Sequence, residues 1–364
     1  MFGSSCRPTV ESYPLPQRRK PAVQPLLAGL GWALAVLTGC SAHPIDTTPP
    51  TIAPAQPADS PPGPPHPAGV VRPLGAHPQA ALVDAGTAQL VVLTPGPDPQ
   101  TPAAVSVFGA AGGPPRAIAL PGPATALAGD GRGTAYLATR GGYFVVDLAA
   151  GHTSRVSVND AEDTEFTAIA RRADGKLVLG GADGTVYLLA GATPTGASAV
   201  LKRNKIFARV DSLVAQGDTV VVLDRGQTSV TSLGADGNPQ QALRAGQGAT
   251  TLAADPLGVV LVADTRGGQL LVYGVDPLIL RQAYPVPHAP YGLAGSAALA
   301  WVSQTGSNTV IGYDLTTGIP VEKVRYPTVR QPNLLAFDDA SGTLYVLSGA
   351  GAGVQVIEHA AGPR

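Results

Sequence analysis

Leu82, Leu127, Ile169, Leu213, Leu252, Leu293 and Leu335 hold the same place in a pattern that runs seven times along the chain, at spacings of 45, 42, 44, 39, 41 and 42 residues. Each unit opens with a short strand of small apolar residues. A turn, a more apolar strand, a polar turn with glycine and an alternating strand follow, as in "TALAGDGRGTAYLAT" from Thr125 and "TTLAADPLGVVLVAD" from Thr250. A period near 42 residues with about four strands per unit describes a β-propeller blade. The hairpin "WVSQTGSNTVIGYDLTTG" from Trp301 buries too little to stand alone. In a propeller it packs face to face between the blades before and after it. Ala126, Ala128, Ala168, Ala253 and Gly292 suit the inner strands, which crowd the axis. The expected fold is therefore all-β, a seven-bladed β-propeller over residues 68–360.

Closure of the ring is also readable. The last unit supplies three strands and the chain then ends in "HAAGPR". The strand-like stretch Val70 to Arg72 precedes the first unit and is otherwise unpaired. We expect it to complete the last blade, removing an open edge, with Val70 or Val71 burying a face.

The residues before the repeat carry a different message. Arg18, Arg19 and Lys20 precede the apolar run "LLAGLGWALAVL" (Leu26 to Leu37), and "LTGC" ends at Cys40. The run is shorter than the roughly 20 residues that span a bilayer. A basic region, a short apolar region and small residues describe a secretory signal. Because the small residues end in cysteine, residues 18–40 resemble a bacterial lipoprotein signal. That resemblance implies cleavage before Cys40 and a diacylglyceryl thioether on it, so that residues 1–39 are a signal peptide with a long leader. Several acyl chains on one residue give stable anchoring to a membrane. Cys6 and Cys40 are the chain's two cysteines. With Cys6 removed and Cys40 lipidated, no thiol remains for a disulfide, a nucleophile or a zinc–thiolate site. Residues 41–67 hold ten prolines, and residues 40–67 read as a disordered, semi-rigid spacer. A proline-rich ligand for a partner domain is the other reading.

The repeat sharpens into a resemblance at "ALAWVSQTGSNTVIGYDLTTGIPVEKVRY", where Val302, Thr309, Val310, Asp314, Thr317 and Gly318 match the YVTN-type repeats of bacterial surface and periplasmic propellers. The sixth unit is the good match; the second shares only Asp147 and Gly151, and the third shows neither pattern cleanly. The lipobox, the proline stalk and the Ala/Gly/Pro-rich propeller together also look like envelope lipoproteins of high-GC actinobacteria. The resemblance implies a fold firmly and a function weakly, since propellers host unrelated roles.

The chemistry the residues offer is sparse. His152, His288 and His359 fall at different places in different units, and no His-x-x-Glu, Gly-x-Ser-x-Gly or P-loop spacing occurs. "GDGRG" and the Asp-Gly pairs at Asp174, Asp183 and Asp236 read as turns, not as calcium loops. No metal or cofactor site is expected. Beyond residue 39 the chain has 20 Lys and Arg against 24 Asp and Glu, which disfavours nucleic acid. "LKRNKIFAR" (Lys202, Arg203, Lys205, Arg209) and "NDAEDTEF" (Asp160, Glu162, Asp163, Glu165) read as loops between units.

In a propeller the second strand of each blade ends on the face that receives the blade-to-blade loops. That position gathers Arg140, Asp224, Arg225, Asp264 and Arg266, and the entries to the inner strands add Asp211, Tyr291 and Asn333. These eight form the candidate ligand or partner face, suited to a compact polar ligand. The expected function is a membrane-anchored, extracytoplasmic binding or scaffold module of the cell envelope. The alternatives are a lactonase-like hydrolase using axial carboxylates and an assembly factor for an envelope complex.

Overall fold

A computed structural model describes residues 49–362 apart from 65, 76, 110 and 111. Residues 1–39, read above as a signal peptide and including Cys6, and Cys40 lie outside the described residues.

Seven small sheets form a ring, a seven-bladed β-propeller, with no helix among the described residues. The innermost strands are Ala80–Asp84, Ala126–Gly129, Phe166–Arg171, Ser212–Gln216, Ala249–Asp255, Pro290–Gly295 and Pro332–Asp338. Every one of the seven aligned apolar positions falls on one of them. The second and third strands are almost wholly buried, as in Thr219–Asp224 and Ser229–Leu233, because each has a blade on both faces. The outermost strands, such as Val321–Pro327 and Pro239–Arg244, turn polar and exposed. Hairpin connections keep the strands of a blade antiparallel; the short strand Gly196–Ser198 is an exception, pairing in parallel with Thr153–Val158 at the outer edge of the second blade.

Side-chain hydroxyls stitch one blade to the next. Thr125 donates to the carbonyl of Phe166 (2.6 Å), Thr265 to Pro290 (2.6 Å) and Ser303 to Pro332 (2.5 Å). The Trp301 hairpin packs as expected. Its indole stacks on Phe337 of the last blade, with centroids 5.6 Å apart, while Val302 joins Val259 and Leu261 of the blade before. The buried indole N–H donates to Ser296 Oγ at 3.2 Å.

The ring closes through Val70–Arg72, antiparallel to Val354–Ile357, with Val70 opposite Val356 and Arg72 opposite Val354. The burial expected of its valines is not found: Val70 is 66% exposed and Val71 38%. As an outermost strand it has no blade above it. Arg72 makes the side-chain contact instead, its guanidinium 4.8 Å from the Phe108 ring centroid of the first blade and bonded to Gly109 and Gly113 carbonyls.

Two further expectations change. Lys202, Arg203 and Lys205 lie on the strand Val200–Lys205, the outer edge of the third blade, rather than in a loop; Asp160, Glu162, Asp163 and Glu165 do lie between strands. The proline-rich stretch read as a disordered spacer is, over residues 51–62, an extended strap hydrogen-bonded to the propeller. Proline pre-sets an extended backbone, so ordering it costs little, and its carbonyls meet side-chain donors on the face described next.

Candidate functional site

All seven inner strands contribute to an axial cavity of about 460 Å³. Its walls are small or apolar: Ala80, Ala126, Ala168, Leu213, Leu252, Leu293 and Leu335. Polar groups enter at the inner-strand starts, where Arg209, Asp211, Arg225, Tyr291 and Asn333 converge. The Asp211 carboxylate accepts the Arg225 backbone N–H at 2.7 Å and faces Arg209 Nε at 3.4 Å. Burial pushes the Asp211 carboxyl up from its ordinary value; the Arg225 N–H and the two guanidinium groups oppose that, and Asp224 adds to it. Burial likewise raises the Tyr291 hydroxyl, with Arg225 opposing. No hydrogen bond joins that hydroxyl to another described residue. The cavity thus offers two guanidinium groups and a phenol beside Asp211, the single carboxylate among its described lining residues. Guanidinium groups favour anionic, planar acceptors.

Of the eight candidate residues, four meet in this cavity: Asp211, Arg225, Tyr291 and Asn333. The others are placed elsewhere. Asp224 is fully buried and accepts backbone N–H groups of Ala208, Arg209 and Gln227. Asp264 does the same for Gln247, Gly248 and Gly267. Both hold the loop between two blades in shape, since a buried carboxylate needs donors and a tight turn has unpaired N–H groups. Arg140 is exposed and pairs with Asp163 at 3.0 Å, beside a separate cavity of about 650 Å³ that also touches Glu165 and Asp98. Arg266 is directed to the strap.

The strap follows the same face across blades four to seven. Ile52 N donates to Gly226 O (2.8 Å), Arg266 Nη2 to Ala53 O (2.7 Å), and Arg225 Nη2 to Ala55 O. Farther on, Ala58 N donates to Thr305 Oγ1 (3.1 Å) and Ser60 Oγ to Thr305 O (2.6 Å). Gln331 Nε2 donates to Ala58 O (3.0 Å), and Asn308 Nδ2 to Pro61 O (2.9 Å). Arg225 therefore belongs both to the cavity wall and to the strap. Gln331 Nε2 also reaches Asn333 Oδ1 at 3.1 Å, a second link between the two.

Sequence reasoning passed over Arg209, grouped with its basic neighbours, and Thr305, Asn308 and Gln331, which carry no charge. Asn308 and Gln331 both adopt positive φ (48° and 57°), a loop geometry that aims their side chains but leaves little trace in residue type. The Asp-Gly turns are what they look like. Asp130, Asp174, Asp183 and Asp236 each accept the backbone N–H two residues on, at 2.8 to 3.1 Å. Among the described residues no group of three or more His, Cys, Asp or Glu side chains is placed to share a metal ion.

No family model matches the chain, and no curated protein matches it in sequence. Solved structures match its fold. A chain in the crystal structure of the Mitotic Checkpoint Complex superposes with a TM-score of 0.66 at 10% identity, covering 86% of this chain and 99% of that one. Streptogramin B lyase gives 0.61 at 10% identity, covering 80% and 96%. Hydrazine synthase of Kuenenia stuttgartiensis gives 0.61 at 13%, covering 79% and 97%. At these identities the likeness is one of fold, and the chain is similar to all three as a propeller.

Proposed function

We propose that the chain is a lipid-anchored, extracytoplasmic binding module that holds a compact anionic ligand at the mouth of its axial cavity. The observation that carries this reading is the convergence of Arg209 and Arg225 on Tyr291 and a lone carboxylate, Asp211, in a cavity of about 460 Å³. That volume suits a small ligand, and two guanidinium groups against one carboxylate leave a net positive site. The "LTGC" stretch ending at Cys40 supports the anchor, and the likeness of the sixth unit to YVTN-type repeats and of the whole to envelope lipoproteins of actinobacteria supports the compartment. A hydrolase acting through paired axial carboxylates finds only Asp211 among the described lining residues, so binding is favoured.

The test is a thermal titration of the full chain with acetate, succinate, citrate and inorganic phosphate at constant ionic strength. A ligand of the native state raises Tm saturably with concentration. At least one of these anions is expected to do so, and the effect is expected to vanish in Arg209→Ala with Tyr291→Phe, neither of which touches the strap. Arg132→Ala with Lys176→Ala, outside the cavity, is expected to leave it unchanged. A rise that survives the first pair, or none with any anion, removes the reading.

A further inference from the structure

The strap lies on the propeller in a way that says what else fits there. Its backbone joins no sheet, so all seven blades keep their ladders without it. The propeller side chains that hold it read mostly carbonyl oxygens: Arg266 on Ala53, Arg225 on Ala55, Gln331 on Ala58 and Asn308 on Pro61. Carbonyls are what a proline-rich chain has in excess, because each proline removes an N–H donor. Only two strap side chains are buried in the stretch 51–62, Ala55 and Ser60. Ala55 rests on Gly248, whose missing side chain makes the room: a Cβ there would stand 3.0 Å from that of Ala55. Ser60 Oγ donates to Thr305 O and accepts from Gln331 N. The side chains of Ile52, Pro54, Gln56 and Asp59 face solvent.

We propose that this track is a recognition groove for extended proline- and alanine-rich peptides, which residues 51–62 occupy in cis, and that a segment of that chemistry in a partner protein takes it by displacing them. The groove specifies an extended backbone, a small residue, a serine five positions later and two prolines after it, as in Ala55, Ser60, Pro61 and Pro62. Positions between are unread. Two guanidinium groups in the track exclude lysine and arginine from the occupant's central part. Recognition of proline-rich segments exploits a pre-extended backbone that loses little entropy on binding. The cis segment is tethered through residues 63–69, which gives it a local concentration on the order of millimolar. A partner therefore competes with an always present occupant. This inference does not rest on the cavity ligand, although Arg225 is shared.

The experiment uses the full chain and a fluorescein-labelled synthetic peptide, PTIAPAQPADSPPG, the sequence of residues 50–63. In the variant Ala55→Lys with Ser60→Lys the strap loses both buried anchors and meets Arg225 and Arg266 with like charge. Fluorescence anisotropy is expected to show this variant binding the peptide about tenfold or more tighter than the native chain. Adding Asn308→Ala and Gln331→Ala is expected to abolish the gain, as is a peptide with lysine at its Ala55 position. Equal affinity in native and released chains, or binding indifferent to Asn308 and Gln331, overturns the proposal. Hydrogen exchange on the native chain decides the matter if the released variant does not fold. The Ala58 and Ser60 amides are expected to exchange well before those of the blades, as a detachable segment must. Exchange at the rate of the inner strands makes the strap a permanent part of the fold and overturns the proposal.

Discussion

Gln331 and Ser60, 271 residues apart, hold each other by exchanged hydrogen bonds: Gln331 N donates to Ser60 Oγ at 3.0 Å, and Ser60 N to Gln331 Oε1 at 3.1 Å. Ser60 is buried, and its hydroxyl also reaches Thr305 O. Removing the Ser60 hydroxyl takes the donor from the buried Thr305 carbonyl, and removing the Gln331 side chain takes the partners of the Ser60 N–H and the Ala58 carbonyl, so Ser60→Ala and Gln331→Ala are each expected to cost about 1–2 kcal/mol. The double variant should cost less than the sum, by about 1 kcal/mol, because once one of the two bonds is lost the strap holds the other less firmly. Urea unfolding of the three variants measures this; strict additivity would show that the pair does not interact in solution.

The closing strand makes a separate prediction. Arg72 and Val70 share one three-residue strand, yet only Arg72 engages the first blade. Arg72→Ala is expected to lower stability by about 1–2 kcal/mol, from the lost ring contact and hydrogen bonds. Val70→Ser should stay within about 0.5 kcal/mol. The reverse ranking in thermal melts would mean that the exposed valine, not the arginine, fastens the ring.

How much of this was legible follows from which forces act locally. Leu82 through Leu335 and the strand at Val70 could be placed because alternation and a repeated period are written in consecutive residues. Lys202 and Arg209 stand seven positions apart in one basic run, but the strand ends at Lys205, so one side chain goes to the outer edge and the other to the axis. Asp224 and Asp264 look like any exposed turn aspartate; that they are buried and hold loops depends on N–H donors in the loop arriving from the preceding blade, about 16 residues earlier in the chain. The strap was the least legible part. Proline-rich sequence has no period, and its partners lie between 170 and 273 residues away.

Asp255 sets a pH dependence. Its side chain is buried, Oδ1 accepts the Leu257 N–H at 2.9 Å, and Oδ2 has no hydrogen-bond partner among the described residues. Burial, with a smaller push from Asp339, raises its carboxyl from 3.8 to about 6. Between those values the folded state binds more protons than the unfolded one. Asp255 therefore favours folding most below pH 4, and stability falls as pH rises from about 4 to 6 and then levels off. Asp255→Asn should remove that slope and raise stability at neutral pH, by no more than about 3 kcal/mol. Denaturant melts at pH 4, 5, 6 and 7 check it; an unchanged slope in the variant assigns the dependence to other groups.

The anchor is tested by Cys40→Ala. The variant is expected to take up no labelled fatty acid in cells and to leave the detergent phase on partitioning. If the native chain also takes up no label, and both stay membrane-bound to the same extent, then the apolar run rather than a lipid holds the protein.

The direction in which the strap is laid down governs how the propeller bears tension. A pull arriving from the N-terminal side meets Ile52 on Gly226 first, then Arg266, Arg225, Thr305, Gln331 and Asn308 in turn, and only afterwards the short closing strand. The load is spread in shear over four blades before it can peel Val70–Arg72 from the edge of the last one. A ring fastened at its seam by three residues is thereby protected, against a pull along its N-terminal segment, by a segment that forms no part of any blade.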